Sequence, residues 1–274
     1  MPRQLIGLLL VLPALAVIAL LFILPMVMSG VGAFQLENGA YGFGNFQKSF
    51  DLYWKDILFT VVIVSLSSAL VGLFSVAIGG YLTLGGNPAA IAILRWLYRW
   101  PLFIPFIVVG QILRTFLSKS GLMNSTAISL GLITPIDATS LLDWRGIVFA
   151  FVWKQTPFVA MLVAGAMASV NRDNIEAARN LGAGSLRILV GILLPQVAIT
   201  LTVGLVLSFV TMMSVLSVPM MINAQSPTML TADIAFRVNA YGDYGVANAL
   251  GIISLVLACS VAWIYLRQNL RTRA

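Results

Sequence analysis

A charged segment between two apolar runs holds the residue types best suited to binding a partner. Residues 171–195 read NRDNIEAARNLGAGSLRILVGILLP, in a chain that is 60% hydrophobic and only 9% charged. Five charged residues fall within sixteen positions there: Arg172, Asp173, Glu176, Arg179 and Arg187. In a helix, the spacing i, i+4, i+7 places Arg172, Glu176 and Arg179 on one face.

The same segment predicts two short helices joined by a tight turn. Ile175, Ala178 and Leu181 fall together on another side of the first helix, and Ala177 with Ala178 keeps its surface shallow enough for a partner to approach closely. Gly182 and Gly184 predict the end of that helix, because glycine readily adopts left-handed conformations. Ser185 is predicted to cap a second helix that enters the next apolar run. From the residues alone, an amphipathic helix lying on lipid headgroups or a solvated loop is an equal alternative.

Three polar residues interrupt a later apolar run and are candidates for contact with a solute. Lys154 lies about eight residues into this run, or roughly 12 Å deep at 1.5 Å per residue. A charge at that depth commonly faces a cavity or a partner, although a lysine can also extend its ammonium group to the interface. Gln155 and Thr156 beside it suggest an inward-facing polar patch.

Composition argues against several classes of function. The chain has no histidine and a single cysteine, Cys259, so the commonest general base and metal ligand is missing and no metal site is expected. The net charge of +7 is better explained by basic cytoplasmic loops than by a nucleic-acid partner. We therefore expect no catalytic residues and no nucleic-acid binding.

Long apolar runs are the elements that must position these residues. Runs of about 20 residues suffice to cross a bilayer as helices, and the first run is too long for a secretory signal and is predicted to bend near Pro13. The sequence predicts an all-α polytopic membrane protein, with 1–274 as one domain and six spans at about 5–28, 57–82, 96–117, 146–169, 190–219 and 246–266.

The distribution of Lys and Arg orients these spans. With the N-terminus inside, nine basic residues lie in cytoplasmic segments and five in outer ones, which predicts that both termini are cytoplasmic. The segment 171–189 is then a cytoplasmic loop between the fourth and fifth spans. Residues 31–55, 118–145 and 220–245 are predicted to be ordered loops at the outer face.

The spacing within the charged segment resembles a known motif. Glu176-Ala177-Ala178 is followed after three residues by Gly182 and later by Leu194-Pro195, which is similar to the EAA loop of permease subunits of binding-protein-dependent ABC importers. VWKQTPF before the loop, and PTMLTADI with YGDYGVANAL after it, resemble the spermidine/putrescine-type branch. The position four residues after Pro195, often a second proline in the family, is Ile199. The resemblance implies the type I ABC importer permease fold, with six transmembrane helices, in a bacterial inner membrane.

The resemblance also implies roles for individual residues. The loop would be the coupling helix, seated in a groove on a cytoplasmic ATPase, with Glu176 meeting basic or amide groups. The coupling residues would be Glu176, Ala177, Ala178, Arg179, Gly182, Ala183 and Pro195. Asn223 follows the fifth span, where the family's substrate path is lined, and joins Lys154, Gln155 and Thr156 as the expected translocation path.

The implied partners follow from the same resemblance. They are a dimer of ATP-binding subunits, a second permease subunit, a periplasmic or extracellular substrate-binding protein and the lipid bilayer. No Gly-Lys-[Ser/Thr] occurs in the chain, so it lacks the phosphate-binding P-loop. ATP would be bound and hydrolysed by the partner, with no cofactor on this chain, and the expected solute is small and polyamine-like.

Three other functions remain as alternatives at this point. An ion-coupled secondary transporter would use charged residues at mid-membrane, and Lys154 is the main candidate. An intramembrane enzyme would need a nucleophile with a base, for which a Ser–Lys pair is the remaining option. A structural scaffold would show no flux of solute.

Overall fold

Helices make up almost all of this computed structural model, which describes the backbone of residues 3–223 and 225–271 and the side chains of 11–223 and 225–263. No β-strand occurs in these ranges, apart from an isolated bridge between Gln35 and Tyr41. The α-helices, in chain order, are α1 Arg3–Ile18, α2 Leu24–Phe34, α3 Gly44–Leu84, α4 Pro88–Leu97, α5 Phe106–Leu117, α6 Leu122–Ser129, α7 Trp144–Ala168, α8 Arg172–Asn180, α9 Ser185–Ile188, α10 Leu194–Ser214, α11 Ser217–Ile222, α12 Leu230–Phe236 and α13 Tyr244–Arg271.

Several helical segments are long and apolar enough to cross a bilayer. Within the described residues these are Val11–Phe34, Gly44–Leu84, Trp144–Ala168, Ser185–Ser214 and Tyr244–Trp263. A sixth span results if the bent pair Pro88–Phe103 and Phe106–Ser129 is counted as one. The expected all-α polytopic class is therefore confirmed.

The predicted third span, 96–117, is not one helix. Its two halves are bent by 104°, with a 3-10 turn at Trp100–Phe103 and a break at Ile104 and Pro105. Pro101 and Pro105 cannot donate backbone hydrogen bonds and exclude a regular helix through this point. The 12 residues of α5 extend only about 18 Å, less than the roughly 30 Å of a hydrocarbon core.

Two spans contain π-helical segments immediately before a proline. Ala19–Ile23 precedes Pro25, and Leu189–Leu193 precedes Pro195. In each segment the backbone N–H that follows bonds to a carbonyl five residues earlier, which is the wider turn typical of a π-bulge. The irregularity of the first span therefore lies before Pro25, whereas Pro13, the predicted bend, lies inside α1.

The segments predicted to lie at the outer face contain more helix than expected. α3 begins at Gly44, well before the predicted start at residue 57, and its 41 residues extend about 60 Å. α6 lies inside the predicted loop 118–145, and α12 lies inside 220–245. These three segments were predicted as loops because polar residues and glycines are typical of loops, although the backbone here is partly helical.

The chain divides into two compact units. Unit 1 comprises the residues up to Lys55 together with Asp233–Val256, and unit 2 comprises Asp56–Ala232 together with the residues from Leu257 onward. The expectation of a single permease domain over 1–274 therefore stays a prediction.

The core of unit 2 consists of two hydrophobic clusters. One is centred on fully buried side chains such as Val109, Ile147 and Phe151, and the other includes Val163 and Leu193. Glycines allow the helices to approach closely here. A Cβ on Gly79 would lie 3.1 Å from the sulfur of Met167, and one on Gly80 would lie 2.8 Å from Leu189. Small residues at such contacts are typical of membrane helix packing.

Unit 1 contains a network of paired charges. The carboxylate of Asp243 lies 2.9 Å from the Lys48 ammonium and 3.4 Å from the Arg237 guanidinium. The Arg237 guanidinium also lies over the rings of Tyr53 and Tyr241, at 5.1 and 4.9 Å from their centroids. These contacts hold together residues from α3, the turn after α12 and the start of α13.

The pairing lowers the pKa of Asp243. Burial raises the pKa, but the hydrogen bonds from Lys48 and from the Val246 amide, with the charges of Lys48 and Arg237, outweigh burial and lower it below its ordinary value of 3.8. Asp243 is therefore held in its charged form by the fold.

Candidate functional site

The charged segment folds as a short helix capped at both ends. The side chain of Asn171 accepts a hydrogen bond from the Asp173 amide at 2.9 Å, which satisfies a free donor at the start of α8. Asp173 lies in the first turn and Arg179 in the last, so both charges complement the helix dipole. Ile175 is buried and anchors this helix to the core of unit 2.

α8 ends in a Schellman motif. The Gly182 amide donates to the Arg179 carbonyl at 2.9 Å, and the Ala183 amide donates to the Ala178 carbonyl at 3.0 Å. Gly182 has a φ of +80°, a left-handed conformation that glycine adopts without a steric cost. The structure thus agrees with the predicted helix end at Gly182 and with the turn at Gly182 and Ala183.

The exposed surface of this turn is apolar. Leu181 is 89% exposed and Leu186 is 74% exposed. Ala177, which precedes both of them on α8, is also exposed. We call the segment 171–188 the knob, and Ala177, Leu181 and Leu186 its apolar tip. Ala178 and Ala183 instead pack against the buried cluster that contains Ile175.

Sequence reasoning missed this tip. The periodicity grouped Leu181 with Ile175 and Ala178 on one side of the helix, but α8 ends at Asn180, so Leu181 leaves that face. The available signal was the position of Leu181 directly before Gly182, where the helix was predicted to end.

The second helix of the knob continues into the membrane. α9 begins at Ser185 with Gly184 as its N-cap and without a side-chain cap, so the prediction that Ser185 caps this helix is wrong. Ser185–Ser214 then forms one helical span. Pro195 lies in the first turn of α10, after the π-helical segment, and not at the tip.

Arg179 ties the knob to another span. Its guanidinium donates to the carbonyl of Leu84, the last residue of α3, at 3.1 Å. The knob also follows α7 after two residues and leads through α9 toward α10. A displacement of the knob would therefore act on α3, α7 and α10 together.

A cavity of about 560 Å³ lies beside α8. Glu176, Arg172 and Arg179 line it from the knob, and Arg95 and Arg99 line it from α4 and its end. Glu176 is exposed and, among the side chains that the structure describes, forms no ion pair.

Lys154 donates hydrogen bonds to backbone carbonyls at the break in the bent span. Its ammonium donates to the carbonyls of Pro101 and Leu102, both at 2.8 Å, and lies 5.6 Å from the centroid of the Phe106 ring. Carbonyls at a helix break inside a membrane need such donors. The lysine is half-buried, and its place in the translocation path stays a prediction.

Gln155 and Thr156 belong to a group of buried polar atoms in the helices of unit 2. The Gln155 amide nitrogen and the Thr156 hydroxyl have no hydrogen-bond partner in the part of the chain that is described, and the same holds for hydroxyls on α3 and α10: Ser67, Ser68 and Ser208. Buried polar groups usually have partners. Gln155 and Thr156 stay predictions as path residues.

Asn223 stabilises the loop that follows α11. Its side chain donates to the Pro227 carbonyl at 3.0 Å, and its own carbonyl accepts from the Thr228 hydroxyl at 2.7 Å. The same loop is held by the buried carboxylate of Asp56, which accepts from the Thr228 amide at 2.7 Å. Asp56 is a positioning residue that sequence reasoning missed, and the solute contact of Asn223 stays a prediction.

Comparison with known families identifies the class of protein that this fold and knob define. The sequence model of the binding-protein-dependent transport system inner membrane component matches residues 75–274. The chain belongs to this family, and it is a multi-pass permease subunit of an ABC importer.

Three characterised relatives align along nearly the whole chain. The trehalose/maltose transport system permease protein MalF of Thermococcus litoralis is 28% identical, over 96% of this chain and 92% of its own. The sulfoquinovosyl glycerol transport system permease protein SmoG of Agrobacterium fabrum is 25% identical, over 96% and 90%. The sn-glycerol-3-phosphate transport system permease protein UgpA of an Escherichia coli strain is 27% identical, over 92% and 90%.

The fold is similar to that of a solved transporter. A chain of a bacterial alginate ABC transporter, in complex with an alginate pentasaccharide-bound periplasmic protein, superposes with a TM-score of 0.82. The identity is 21%, and the match covers 98% of this chain and 96% of that one. The type I importer permease fold is therefore confirmed.

These relatives correct one expectation. The resemblance to the spermidine/putrescine-type branch is not supported, because the relatives above carry the names of sugar and glycerol-phosphate systems.

Proposed function

We propose that this chain forms half of the translocation path of an ATP-driven importer for a carbohydrate or another polyhydroxylated solute. A separate cytoplasmic ATPase would drive it through the knob. The observation that carries the proposal is the apolar tip, because Leu181 and Leu186 are exposed on a segment that is otherwise rigidly capped. Exposed leucines beside alanines are typical of a surface that a partner covers.

The mechanism follows from the connections of the knob. The ATPase dimer closes on ATP and moves the groove in which the knob is seated. The knob continues through α9 toward α10, and Arg179 links it to α3 by a hydrogen bond. A movement of the knob would therefore displace the spans of unit 2. ATP can drive this change only by favouring one state of the transporter over the other.

Other subunits complete the assembly. A second permease subunit, either a related chain or a second copy of this one, would form the other half of the path, and a substrate-binding protein would deliver the solute from outside. The positive-inside distribution supports a topology in which both termini and the knob are cytoplasmic. Lys154, Gln155, Thr156 and Asn223 remain the proposed path residues of this chain.

The substrate class is supported by the relatives. Their names specify disaccharides, a sulfoquinovosyl glycerol and sn-glycerol-3-phosphate, which all carry several hydroxyl groups. Buried hydroxyl and amide groups without partners on α3, α7 and α10 are the side-chain types that hydrogen-bond such solutes.

The structure weakens the argument for ion-coupled transport, the main alternative function. That alternative depended on Lys154 as a mid-membrane charge, but its ammonium is occupied by the carbonyls of Pro101 and Leu102. The residue is explained by the need to satisfy a helix break.

The coupling proposal is tested by co-purification of the ATPase from native cells in mild detergent. The double variant Leu181→Gln with Leu186→Gln removes the apolar tip, and it should weaken association about 100-fold if two leucines become buried. The matched control is Leu130→Gln with Leu132→Gln, two leucines that are similarly exposed but lie in the predicted outer segment.

The outcomes of this experiment are distinct. Loss of the ATPase with the tip variant alone supports the proposal, provided that the variant still inserts. Equal recovery of the ATPase with both variants would contradict it, and Glu176→Arg with Gly182→Leu then checks whether the charged face of the knob contributes instead.

The substrate is tested with the complete transporter and its binding protein in proteoliposomes. ATP-dependent uptake should be found among maltose, an oligosaccharide and sn-glycerol-3-phosphate, and it should be absent for spermidine. Uptake of spermidine alone would overturn the substrate class without affecting the coupling proposal.

A further inference from the structure

The cavity beside α8 carries an excess of positive charge. Four arginines line it, Arg95, Arg99, Arg172 and Arg179, and Glu176 is the only carboxylate among its described lining residues. These groups leave an excess of three positive charges in about 560 Å³. Tyr98, which is buried, forms part of the wall.

The four arginines lack carboxylate partners. Among the side chains described, ion pairs are formed only by Lys48, Arg145 and Arg237. Arg179 donates to the Leu84 carbonyl, and Arg99 donates to the Tyr98 hydroxyl at 3.3 Å, so each uses part of its guanidinium. A guanidinium has five N–H donors, and most of them remain free to bind an anion in the cavity.

The wall formed by α4 has the character of a membrane interface. Ile93, Trp96 and Leu97 are more than half exposed, and the Trp96 and Trp100 rings lie 4.6 Å apart. Tryptophan is enriched where lipid headgroups begin. Arg95 and Arg99 alternate with these tryptophans along the chain, so the same short segment carries groups suited to acyl chains and groups suited to headgroups.

We infer that this cavity binds the phosphate of an anionic phospholipid, and that the lipid thereby bridges α4 and the knob. Arginine forms paired hydrogen bonds with phosphate oxygens, and basic pockets between membrane helices on the cytoplasmic side bind anionic headgroups. Arg95 and Arg99 hold the phosphate from α4, and Arg172 and Arg179 hold it from α8. The exposed Trp96 and Trp100 favour a lipid over a free anion, because only a lipid brings acyl chains to α4.

This inference depends on the proposed function only for the cytoplasmic placement of the knob. Lipid binding is measured without ATP and without solute, so it is independent of coupling and of the substrate. If the lipid binds and the ATPase does not, the proposed function fails and the lipid site stands.

The test is native mass spectrometry of the complete transporter, released from nanodiscs that contain phosphatidylglycerol and phosphatidylcholine. The wild type should retain phosphatidylglycerol. Arg95→Gln with Arg99→Gln should weaken its retention about 30-fold, at the usual contribution of an arginine near a charged surface.

Two further variants separate charge loss from misfolding. Arg95→Lys with Arg99→Lys keeps both charges and should retain most of the lipid, which an unfolded variant would not. Arg187→Gln removes a predicted cytoplasmic charge that does not line the cavity and should retain all of it. Equal retention in the Arg95→Gln, Arg99→Gln variant and the wild type overturns the inference.

Inorganic phosphate distinguishes the two sources of the anion. If millimolar phosphate binds the cavity while phosphatidylglycerol is not retained, the ligand is a free anion and the lipid assignment is overturned. If phosphatidylglycerol remains bound in the presence of phosphate, the lipid assignment is supported.

Glu176→Gln separates this site from the docking of the ATPase. Removing the only carboxylate of the cavity should strengthen retention of the lipid, whereas it should weaken the contact with the ATPase. Weaker retention of the lipid by this variant would contradict the electrostatic basis of the inference.

Discussion

The charged residues of unit 1 and those of the cavity in unit 2 differ in how they are paired. In unit 1, Lys48 and Arg237 share the carboxylate of Asp243, and the side chains of Arg237 and Asp243 are only 13% and 16% exposed. In the cavity, four arginines face one glutamate and none of them forms an ion pair with a described carboxylate.

This difference distinguishes charged residues that stabilise the fold from charged residues that are available to bind a ligand. A buried charge needs a partner within the fold because desolvation is costly, whereas exposed charges can remain unpaired at little cost. We therefore expect removal of a paired charge to reduce stability, and removal of a cavity charge to change binding alone.

The largest effect is expected from Asp243→Asn. This change leaves Lys48 and Arg237 without their shared carboxylate, and it should lower the free energy of unfolding by about 3 kcal/mol, as for other broken buried pairs. Thermal unfolding in detergent measures it. The control is Asp143→Asn, which breaks the more exposed pair with Arg145 and should cost under about 1 kcal/mol. Equal effects of the two changes would remove the distinction.

The next effect tests the lysine of α7 that donates to carbonyls of the bent span. Lys154→Met removes the ammonium that donates to the Pro101 and Leu102 carbonyls, which should destabilise the protein by about 2 kcal/mol. Lys154→Arg keeps a donor and should lose less than half of that. The comparison of their unfolding temperatures checks this, and a fully stable Lys154→Met variant would show that the break does not depend on the lysine.

A smaller effect is expected at the turn of the knob. Gly182→Ala places a Cβ at a φ of +80° and should cost about 1 kcal/mol. Co-purification of the ATPase should fall together with stability, because the turn presents the apolar tip. Gly191→Ala is the control: its φ is not positive and its Cβ would meet nothing within 4 Å. Similar results for the two glycines would mean that the turn tolerates a side chain.

The pH dependence of stability sharpens the comparison further. The pKa of Asp243 is lower in the folded protein than its ordinary value of 3.8, so its contribution is present above pH 3.8 and is lost as pH falls below it. The difference in unfolding temperature between wild type and Asp243→Asn should therefore be constant near neutral pH and shrink in this acidic range. A difference that already disappears near pH 6 would contradict the assignment.

The smallest effect is expected in the cavity. Arg95→Gln with Arg99→Gln in lipid-free detergent should change the free energy of unfolding by less than about 0.5 kcal/mol, because no pairing is lost. The same unfolding measurement checks it. A loss comparable to that of Asp243→Asn would mean that these arginines stabilise the fold and are not free to bind.

Much of the candidate site was predictable because it is local. The helix of the knob, its end at Gly182 and its position between two spans depend on neighbouring residues, and the structure has them as expected. Leu181 was assigned to the wrong side because α8 ends one residue before it, and a side chain beyond the end of a helix no longer follows the helical spacing. The role of Lys154 was not predictable, because its acceptors lie 53 and 52 residues away.

The sequence by itself determined the all-helical membrane class, the approximate spans and the short charged helix between two of them. Apolar length and glycine positions act through backbone hydrogen bonding and transfer into lipid, which depend on a few adjacent residues. Only the tertiary structure decided the break at Pro105, the partner of Lys154, the pairing of Lys48 with Asp243 across 195 residues and the gathering of four arginines around one cavity. These depend on which distant helices pack together, and packing is set by the fit of whole surfaces.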